Sequence, residues 1–351
     1  MKLDDLIHHT SEWLKGTGPY SDIVISSRIR LARNLANIPF PHRLNRKQAQ
    51  EVLELVKLAI QKVDYLKNCL FIELHQLDSL DKQFLIERHL MSYEHARSDN
   101  YKGLVLDTTE VISIMVNEED HLRLQVMQSG FNLFEAWNII NRIDDLLSEH
   151  LDFAFYPEWG YLTSCPTNTG TGLRGSVMLH LPALVMSRQI NRILAAIAKL
   201  SFTTRGLYGE GTEASGNFFQ VSNQVSLGHN EEEVISNINA LIKQVIEQEE
   251  QTRQNLLTNQ RAMLEDKIWR SFGILKNAFI ISSQETIDLL SMVRLGVDLK
   301  IIKGIDRSVI NELFLITQPA HLQKIENKRL STQERDLKRA EIIRNRLQDV
   351  K

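Results

Sequence analysis

The residues of this chain best suited to chemistry are arginines and carboxylates held at strand spacing. In Ile25-Ser26-Ser27-Arg28-Ile29-Arg30-Leu31-Ala32-Arg33, charge alternates with apolar side chains. An extended backbone there projects Arg28 and Arg30 from one face and sends Ile29 and Leu31 into a core. Two adjacent guanidiniums repel each other, so they fit either a solvated edge or a polyphosphate lying across both. The second piece, Asn117-Glu118-Glu119-Asp120-His121-Leu122-Arg123, follows the apolar run 111–116 and sets three carboxylates and an arginine at the end of a sheet element. Such a cluster is costly unless cations offset it, although a polar turn between strands would look the same. Third is Cys165-Pro166-Thr167-Asn168-Thr169-Gly170-Thr171-Gly172-Leu173-Arg174, a turn whose backbone amides can cradle an anion. No Gly-Lys-Ser/Thr follows its glycines, so it is not a Walker loop. A buried, inert thiol is also the ordinary fate of a lone cysteine. The fourth piece, residues 204–216, carries four glycines together with Arg205 and Glu210. That composition suits a mobile flap or an ordinary flexible loop.

Strands are needed to aim these side chains. Short aliphatic or β-branched runs bounded by turn formers predict them at 23–25, 68–74, 103–106, 111–116 and 121–126, with a further strand-like run at 218–221. Apolar residues at helical spacing predict helices over 46–63, 131–147 and 187–200. Strands and helices do not alternate one for one. The fold class expected is therefore α+β, with a largely antiparallel sheet flanked by helices. From Glu231 a long amphipathic run reaches about residue 260, and the rest reads as helix with little strand signal beyond 279–281. This predicts a catalytic domain over 1–252 and a helical C-terminal domain over 253–351.

Composition narrows the function classes. With 43% hydrophobic residues and 7 prolines among 351, the chain can bury a full core and has room for two domains. A formal net charge of -3 gives no general pull toward nucleic acid or anionic membrane, so any phosphate site must be local. Cys69 and Cys165 are the two cysteines, and the N-terminus shows no secretory apolar run; both features predict a cytoplasmic protein with free thiols. The apolar stretches fall short of the roughly 20 residues that span a bilayer, so no membrane segment is expected. His-Glu-x-x-His, paired Cys-x-x-Cys and Gly-x-Ser-x-Gly patterns are missing, which sets aside a zinc site and a nucleophile elbow. His8, His9, His75, His89 and His95 lie in no ligand motif and are expected to pack or to face solvent.

Taken in this order, the four motifs resemble the phosphagen kinases, the ATP:guanido phosphotransferase family of creatine and arginine kinases. The family's Ser-Ser-Arg-x-Arg strand, Asn-Glu-Glu-Asp-His-x-Arg segment, Cys-Pro-Thr/Ser-Asn-x-Gly-Thr-Gly-x-Arg loop and Arg-Gly flap correspond here to residues 26–30, 117–123, 165–174 and 205–213. The resemblance implies transfer of the ATP γ-phosphoryl group to a guanidine. It implies that Arg28, Arg30, Arg123, Arg174 and Arg205 clamp the nucleotide phosphates, while Mg2+ is held by phosphate oxygens and not directly by the protein. By the same analogy Arg88 contacts nucleotide, with a helix-surface ion pair as its alternative. Glu119 corresponds to the family's catalytic glutamate, and Glu210 to a second glutamate that arginine kinases carry on the flap and creatine kinases lack. Cys165 corresponds to a reactive cysteine whose thiolate positions and polarises the guanidinium. The chemistry agrees with these roles. A guanidinium has a pKa above about 12 and no free lone pair, so a carboxylate must orient it and accept a proton as the new bond forms. Glu118 and Asp120 read as supporting members.

Two departures bear on the acceptor. Phosphagen kinases begin with a small helical domain that grips a free amino-acid substrate, whereas this sequence is expected to enter the catalytic domain almost at once and to add a C-terminal helical stretch. That architecture resembles the bacterial protein-arginine kinases, which phosphorylate arginine side chains of proteins. Met178 stands where phosphagen kinases place a histidine against the adenine. Arg335-Asp336-Leu337-Lys338-Arg339-Ala340 is similar to the Arg-Asp-x-x-Arg-Ala segment of the protein-arginine kinases, which implies an allosteric phosphoarginine site at Arg335, Asp336 and Arg339. On a helix Arg335 and Arg339 share a face, and a solvated, salt-bridged face is the alternative. The resemblance also implies partners: arginine-bearing protein substrates such as a heat-shock repressor and unfolded proteins, a zinc-binding activator, and a Clp unfoldase that reads phosphoarginine as a degradation tag. These would set the chain in stress response and protein quality control. Apolar spacing at Ile287, Leu290, Met292, Val293 and Leu295 fits a homodimer seam or an internal core. Two other functions compete. One is a phosphoarginine-binding adaptor without catalysis, against which the complete motif set counts; the other is a kinase of free arginine or a related guanidine.

Overall fold

The computed structural model describes residues 3–97, 101–206 and 215–348. Its strands are β1 (Val24–Arg33), β2 (Leu70–Glu73), β3 (Gly103–Leu106), β4 (Ile112–Val116), β5 (Leu122–Ser129), β6 (Phe155–Tyr156), β7 (Gly160–Tyr161), β8 (Leu173–His180), β9 (Phe202–Arg205) and β10 (Phe218–Asn223). Eight of them form one antiparallel sheet in the order β2-β3-β4-β5-β1-β8-β10-β9, and β6 pairs with β7 apart from it. The helices are α1 (Arg46–Lys62), α2 (Ser79–Glu87), α3 (Tyr93–Ala96), α4 (Leu133–Ser148), α5 (Pro182–Met186), α6 (Ile190–Lys199), α7 (Glu231–Asn259), α8 (Arg261–Asn277), α9 (Ser283–Asp298), α10 (Arg307–Ile316), α11 (Pro319–Ile325) and α12 (Thr332–Leu347). The class is α+β, an antiparallel sheet flanked by helices with a helical C-terminal region, as the run pattern predicts.

Alternation along the central strands decides what each face of the sheet does. Ile29, Leu31, Leu124, Val126, Leu173 and Val177 are buried on one face in the main core, which α1, α4 and α7 cover. Fully burying each such side chain is worth about 1.5–3 kcal/mol. A one-residue slip of β1 would exchange Ile29 and Leu31 for Arg28 and Arg30, so the register is strongly held. The opposite face is polar. There Arg30 stands across from Gln125 of β5 and Arg174 of β8, Arg28 across from Ser176, and Arg205 of β9 across from Gln220 of β10.

The boundary expected at residue 252 has no loop or break, because α7 runs through it. The helix starts with a capping box in which Asn230 and Glu233 exchange side-chain to backbone bonds. Its first half, from Val234 to Ile246, packs into the sheet core, and Leu256 packs into the C-terminal helical core. Between these, Glu249 accepts from the Ala183 and Leu184 amides (3.1 and 3.0 Å), and Arg253 Nε donates to Glu249 (2.9 Å). One change-over inside a continuous helix thus replaces a linker. Of the expected stripe, Leu290, Val293 and Leu295 are buried in this chain's own C-terminal core with half-buried Met292 against it, and Ile287 is buried beside Gly216, so the stripe is not an exposed seam. Residues 279–281 form no strand.

Buried polar networks fasten the C-terminal helices to the sheet. Arg294 of α9 donates to Asn311 (3.0 Å) and to the Asp22 carbonyl (2.8 Å), and its Nη1 lies 2.9 Å from His180 Nδ1 at the end of β8. Glu87, at the end of α2, accepts from the Ala320 and His321 amides that open α11. No helix among the described residues is long and apolar enough to cross a membrane.

Candidate active site

The polar face of the sheet floors a cleft of about 940 Å³. Four strands aim five guanidiniums into it: Arg28 and Arg30 from β1, Arg123 from β5, Arg174 from β8 and Arg205 from β9. Neutral oxygens orient two of them. Arg28 Nε donates to Ser176 Oγ (3.2 Å) and its Nη2 to Gln220 Oε1 (3.0 Å), while Arg174 Nη2 donates to Thr203 Oγ1 and Ser222 Oγ (3.3 Å each). Such partners fix direction without neutralising charge. Burial, helped by the charges of Arg123, Arg174 and Arg205, lowers Arg28 to about 9. Burial together with Arg28, Arg123 and Arg174 drives Arg30 well below the ordinary arginine value. Arg30 Nε is buried without a hydrogen-bond partner. Packed guanidiniums with a donor to spare fit a polyanion that bridges them, which is what a nucleotide triphosphate supplies.

The turn between β4 and β5 brings carboxylates to one end of this cleft. Asn117 takes a left-handed conformation (φ 59), and its Nδ2 donates to the Ala49 and Tyr101 carbonyls (3.0 and 2.7 Å), which pins the turn. Glu118 accepts from Arg123 Nη1 through both oxygens (2.7 Å each) and from Ser92 Oγ. Burial works against the Glu118 charge, but Arg123 overrides it and brings the carboxyl down to about 2. Burial likewise opposes the charge on Arg123, and Glu118 reverses the balance, so Arg123 titrates above its ordinary value. Glu118 therefore aims an arginine. Asp120 is buried and accepts from Asn34 Nδ2 and the Ser164 amide (2.7 Å each), which ties the turn to the segment leading to Cys165.

Glu119, between these two, is exposed at the cleft. Loss of water to the cleft walls, followed by repulsion from Asp120 and Glu118, raises its pKa above the ordinary glutamate value. A carboxylate with a raised pKa and no structural bond among those described is the group best able to accept a proton here. Cys165 lines the same cleft at the head of a short 3-10 turn, Pro166–Asn168, with its Sγ 3.0 Å from Thr167 Oγ1.

The other residues singled out in the sequence fall elsewhere. Glu210 lies outside the described residues. Arg88 does not line the cleft, and its guanidinium is 1% exposed. It is locked to Glu110 through two hydrogen bonds, to the His9 carbonyl (2.8 Å) and Ser11 Oγ (3.0 Å), and approaches His321 Nε2 (3.3 Å). The ion pair offered as its alternative is thus buried, not on the surface, and joins the N-terminal segment to α11. Arg88→Met removes the guanidinium that neutralises buried Glu110, leaving its charge to the Ser11 hydroxyl (2.8 Å) and the more exposed His9, and is expected to destabilise the fold by about 3 kcal/mol. Denaturant unfolding checks this, and unaltered stability would contradict the role. Arg335, Asp336 and Arg339 sit on α12, away from the cleft. Arg339 is 1% exposed and donates to the Thr317 and Ile281 carbonyls (2.8 and 2.9 Å) and to Asp336, so burial has turned it toward its own domain. Arg335 and Asp336 remain half-buried.

Several residues of the cleft carried no readable motif. His89 lines it in a left-handed conformation (φ 59), and burial together with Arg28 lowers its pKa to about 4, so at neutral pH it adds no positive charge. Gln220 and Ser92 orient Arg28 and Glu118. Met178 is buried in a small apolar cluster with Trp13, Met127 and Phe218 beside the cleft.

Residues 51–252 match the family described as ATP:guanido phosphotransferase, C-terminal catalytic domain. Residues 261–351 match the protein-arginine kinase McsB C-terminal domain. A protein of Halothermothrix orenii named protein-arginine kinase is 50% identical over 348 residues, 99% of this chain and 99% of that one. One of the same name from Bacillus subtilis is 46% identical over 339 residues, 96% of this chain and 93% of that one. Among solved structures, a lombricine kinase superposes with a TM-score of 0.60 at 23% identity, covering 71% of this chain and 76% of that chain. The duplicated taurocyamine kinase of Schistosoma mansoni, with bound transition-state-analogue components, also gives 0.60 at 23% identity, over 70% of this chain and 38% of that chain. At such identity the likeness to these two structures concerns the fold alone.

Proposed function

The chain belongs to the ATP:guanido phosphotransferase family, in its protein-arginine kinase branch, and from that premise we propose that its cleft transfers the ATP γ-phosphoryl group to arginine side chains of proteins. The observation that carries this reading is the cluster of five guanidiniums ending at a carboxylate of raised pKa. The arginines suit a triphosphate, and the carboxylate suits an acceptor that must lose a proton.

In the mechanism proposed, Arg28, Arg30, Arg123, Arg174 and Arg205 hold the phosphates and keep the γ-phosphoryl group in line with the acceptor. Mg2+, which the family resemblance implies is held through the nucleotide's own phosphate oxygens, would when bound neutralise charge on the triphosphate that the arginines alone do not. Glu119 hydrogen-bonds the incoming guanidinium and takes its proton as the N–P bond forms and the bond from the phosphorus to the ADP oxygen breaks. Glu118 acts through Arg123. Cys165 borders the acceptor end, where its sulfur helps polarise the guanidinium, and Glu210 serves as the second acceptor-side carboxylate. By resemblance Arg335, Asp336 and Arg339 belong to a regulatory phosphoarginine site on α12, in which buried Arg339 acts by orienting Asp336 and the half-buried Arg335 and Asp336 face the ligand.

A cytoplasmic setting, a homodimer, a heat-shock repressor and unfolded proteins as substrates, a zinc-binding activator, a Clp unfoldase that reads the mark, and a role in stress response all rest on family resemblance. The direct test offers labelled ATP to the chain with an unfolded protein and, separately, with free arginine. Label on the protein supports the reading; label on free arginine alone overturns it. The pH profile adds a check. Glu119 works only when ionised, so kcat/KM falls as pH drops through its raised pKa. The acid limb is expected above the ordinary glutamate value, and a limb at or below that value would contradict Glu119 as the base.

A further inference from the structure

Glu119 borders two cavities. One is the arginine-floored cleft. The other is a groove of about 550 Å³ walled by Pro41, Leu44, Arg46, Ala49, Tyr101 and Ser164, and Lys102, Glu118 and Glu119 border both cavities. Two residues of the groove wall carry buried polar atoms without a hydrogen-bond partner, Asn117 Oδ1 and Ser164 Oγ. Asn117 is only 5% exposed, and its amide nitrogen is already committed to the Ala49 and Tyr101 carbonyls. The atom left over is therefore an acceptor, held in place by its own side chain's other bonds. Orphaned buried polar atoms are rare in folded proteins, and two of them beside Glu119, an amide oxygen that accepts and a hydroxyl that can donate, call for partners from outside the chain.

An acceptor guanidinium carries positive charge, and the cleft floor repels it. It must reach Glu119 from the side the phosphates do not fill, which is the side of this groove. The groove suits an extended polypeptide: Pro41, Leu44 and Ala49 give it an apolar wall, and a peptide main chain offers the N–H that Asn117 Oδ1 lacks and a carbonyl for the Ser164 hydroxyl. Arg46, exposed at the first position of α1, and Lys102 add positive charge to the rim.

On the strength of the function proposed above, we infer that this groove binds the main chain flanking the target arginine, and that its basic rim favours an acidic residue beside that arginine over a basic one. The groove chooses polypeptide by its backbone, with a preference in charge and little in shape.

The experiment uses two unstructured peptides that differ only next to their single arginine, one with aspartate and one with lysine. For the full chain the aspartate peptide is expected to have a KM lower by about fivefold, the upper end for an exposed charge contact. Arg46→Glu, which suits a helix start and should fold, is expected to remove or invert that preference. Ala49→Trp fills the groove and is expected to raise the KM of both peptides by about tenfold while the KM for ATP stays as it was. A peptide KM unmoved by Ala49→Trp overturns the groove. A wild-type chain that phosphorylates free arginine and neither peptide overturns the function proposed above, and the two failures are distinct.

Discussion

Glu119→Gln lowers phosphoryl transfer to protein by about 10²–10⁴-fold, the range for removing a general base, and leaves ATP binding within about twofold of wild type. The separation follows from position. Glu119 is exposed on the β4–β5 turn, while the phosphate side of the cleft is built from strand arginines that do not depend on it. The amide keeps the size and one acceptor oxygen but cannot take a proton. Single-turnover transfer measured beside nucleotide titration checks both halves. Transfer at the wild-type rate would remove Glu119 from the mechanism. Loss of ATP affinity together with rate would instead make it part of the phosphate clamp.

Arg30→Met moves activity and stability in opposite directions. Arg30 is the most heavily burdened of the cluster: 9% exposed, with Nε lacking a partner, and lowered well below its ordinary pKa by burial and by Arg28, Arg123 and Arg174. A group whose folded pKa is depressed while it remains charged costs stability wherever the unfolded chain holds its proton freely, which includes neutral pH. Replacing it with an apolar side chain of similar length removes that cost, so without nucleotide the melting temperature rises by about 2 °C or more. The same change deletes a donor to the transferring phosphoryl group and is expected to lower kcat/KM by about 10²–10³-fold. Thermal unfolding with and without ATP reads the two effects apart: wild type gains stability from ATP, and the variant gains much less. A variant less stable than wild type in the absence of nucleotide would contradict the picture of stored repulsion.

Much of the site was legible because it lies on strands. Alternation in 25–33 decides which face Arg28 and Arg30 occupy, and the alternating run from Leu122 to Val126 does the same for Arg123; both depend only on near neighbours. Arg88 escaped such reasoning. Its partners Glu110 and His321 lie 22 and 233 residues away, so nothing local indicates that the guanidinium turns inward. Arg339 is similar, since carbonyls of Ile281 and Thr317 capture it from two other segments. His89 gave no signal because its role comes from a left-handed backbone and from proximity to Arg28 across the sheet. The boundary expected near residue 252 falls inside α7, where the helix passes from the sheet core to the C-terminal helical core without a loop, and local sequence could not show that form. Polarity changes along α7, but helix propensity does not, and one amphipathic helix can serve two cores in succession.

The central claim is that this cleft phosphorylates arginine in proteins, and intact-mass analysis of a partly unfolded, unrelated protein after incubation with the chain, ATP and magnesium tests it most directly. The account predicts an added phosphate that survives neutral quenching, is lost in acid, maps to arginine, and is missing when Glu119→Gln replaces the wild type. An acid-stable phosphate on a hydroxyl side chain, or phosphate on free arginine with none on protein, would contradict it.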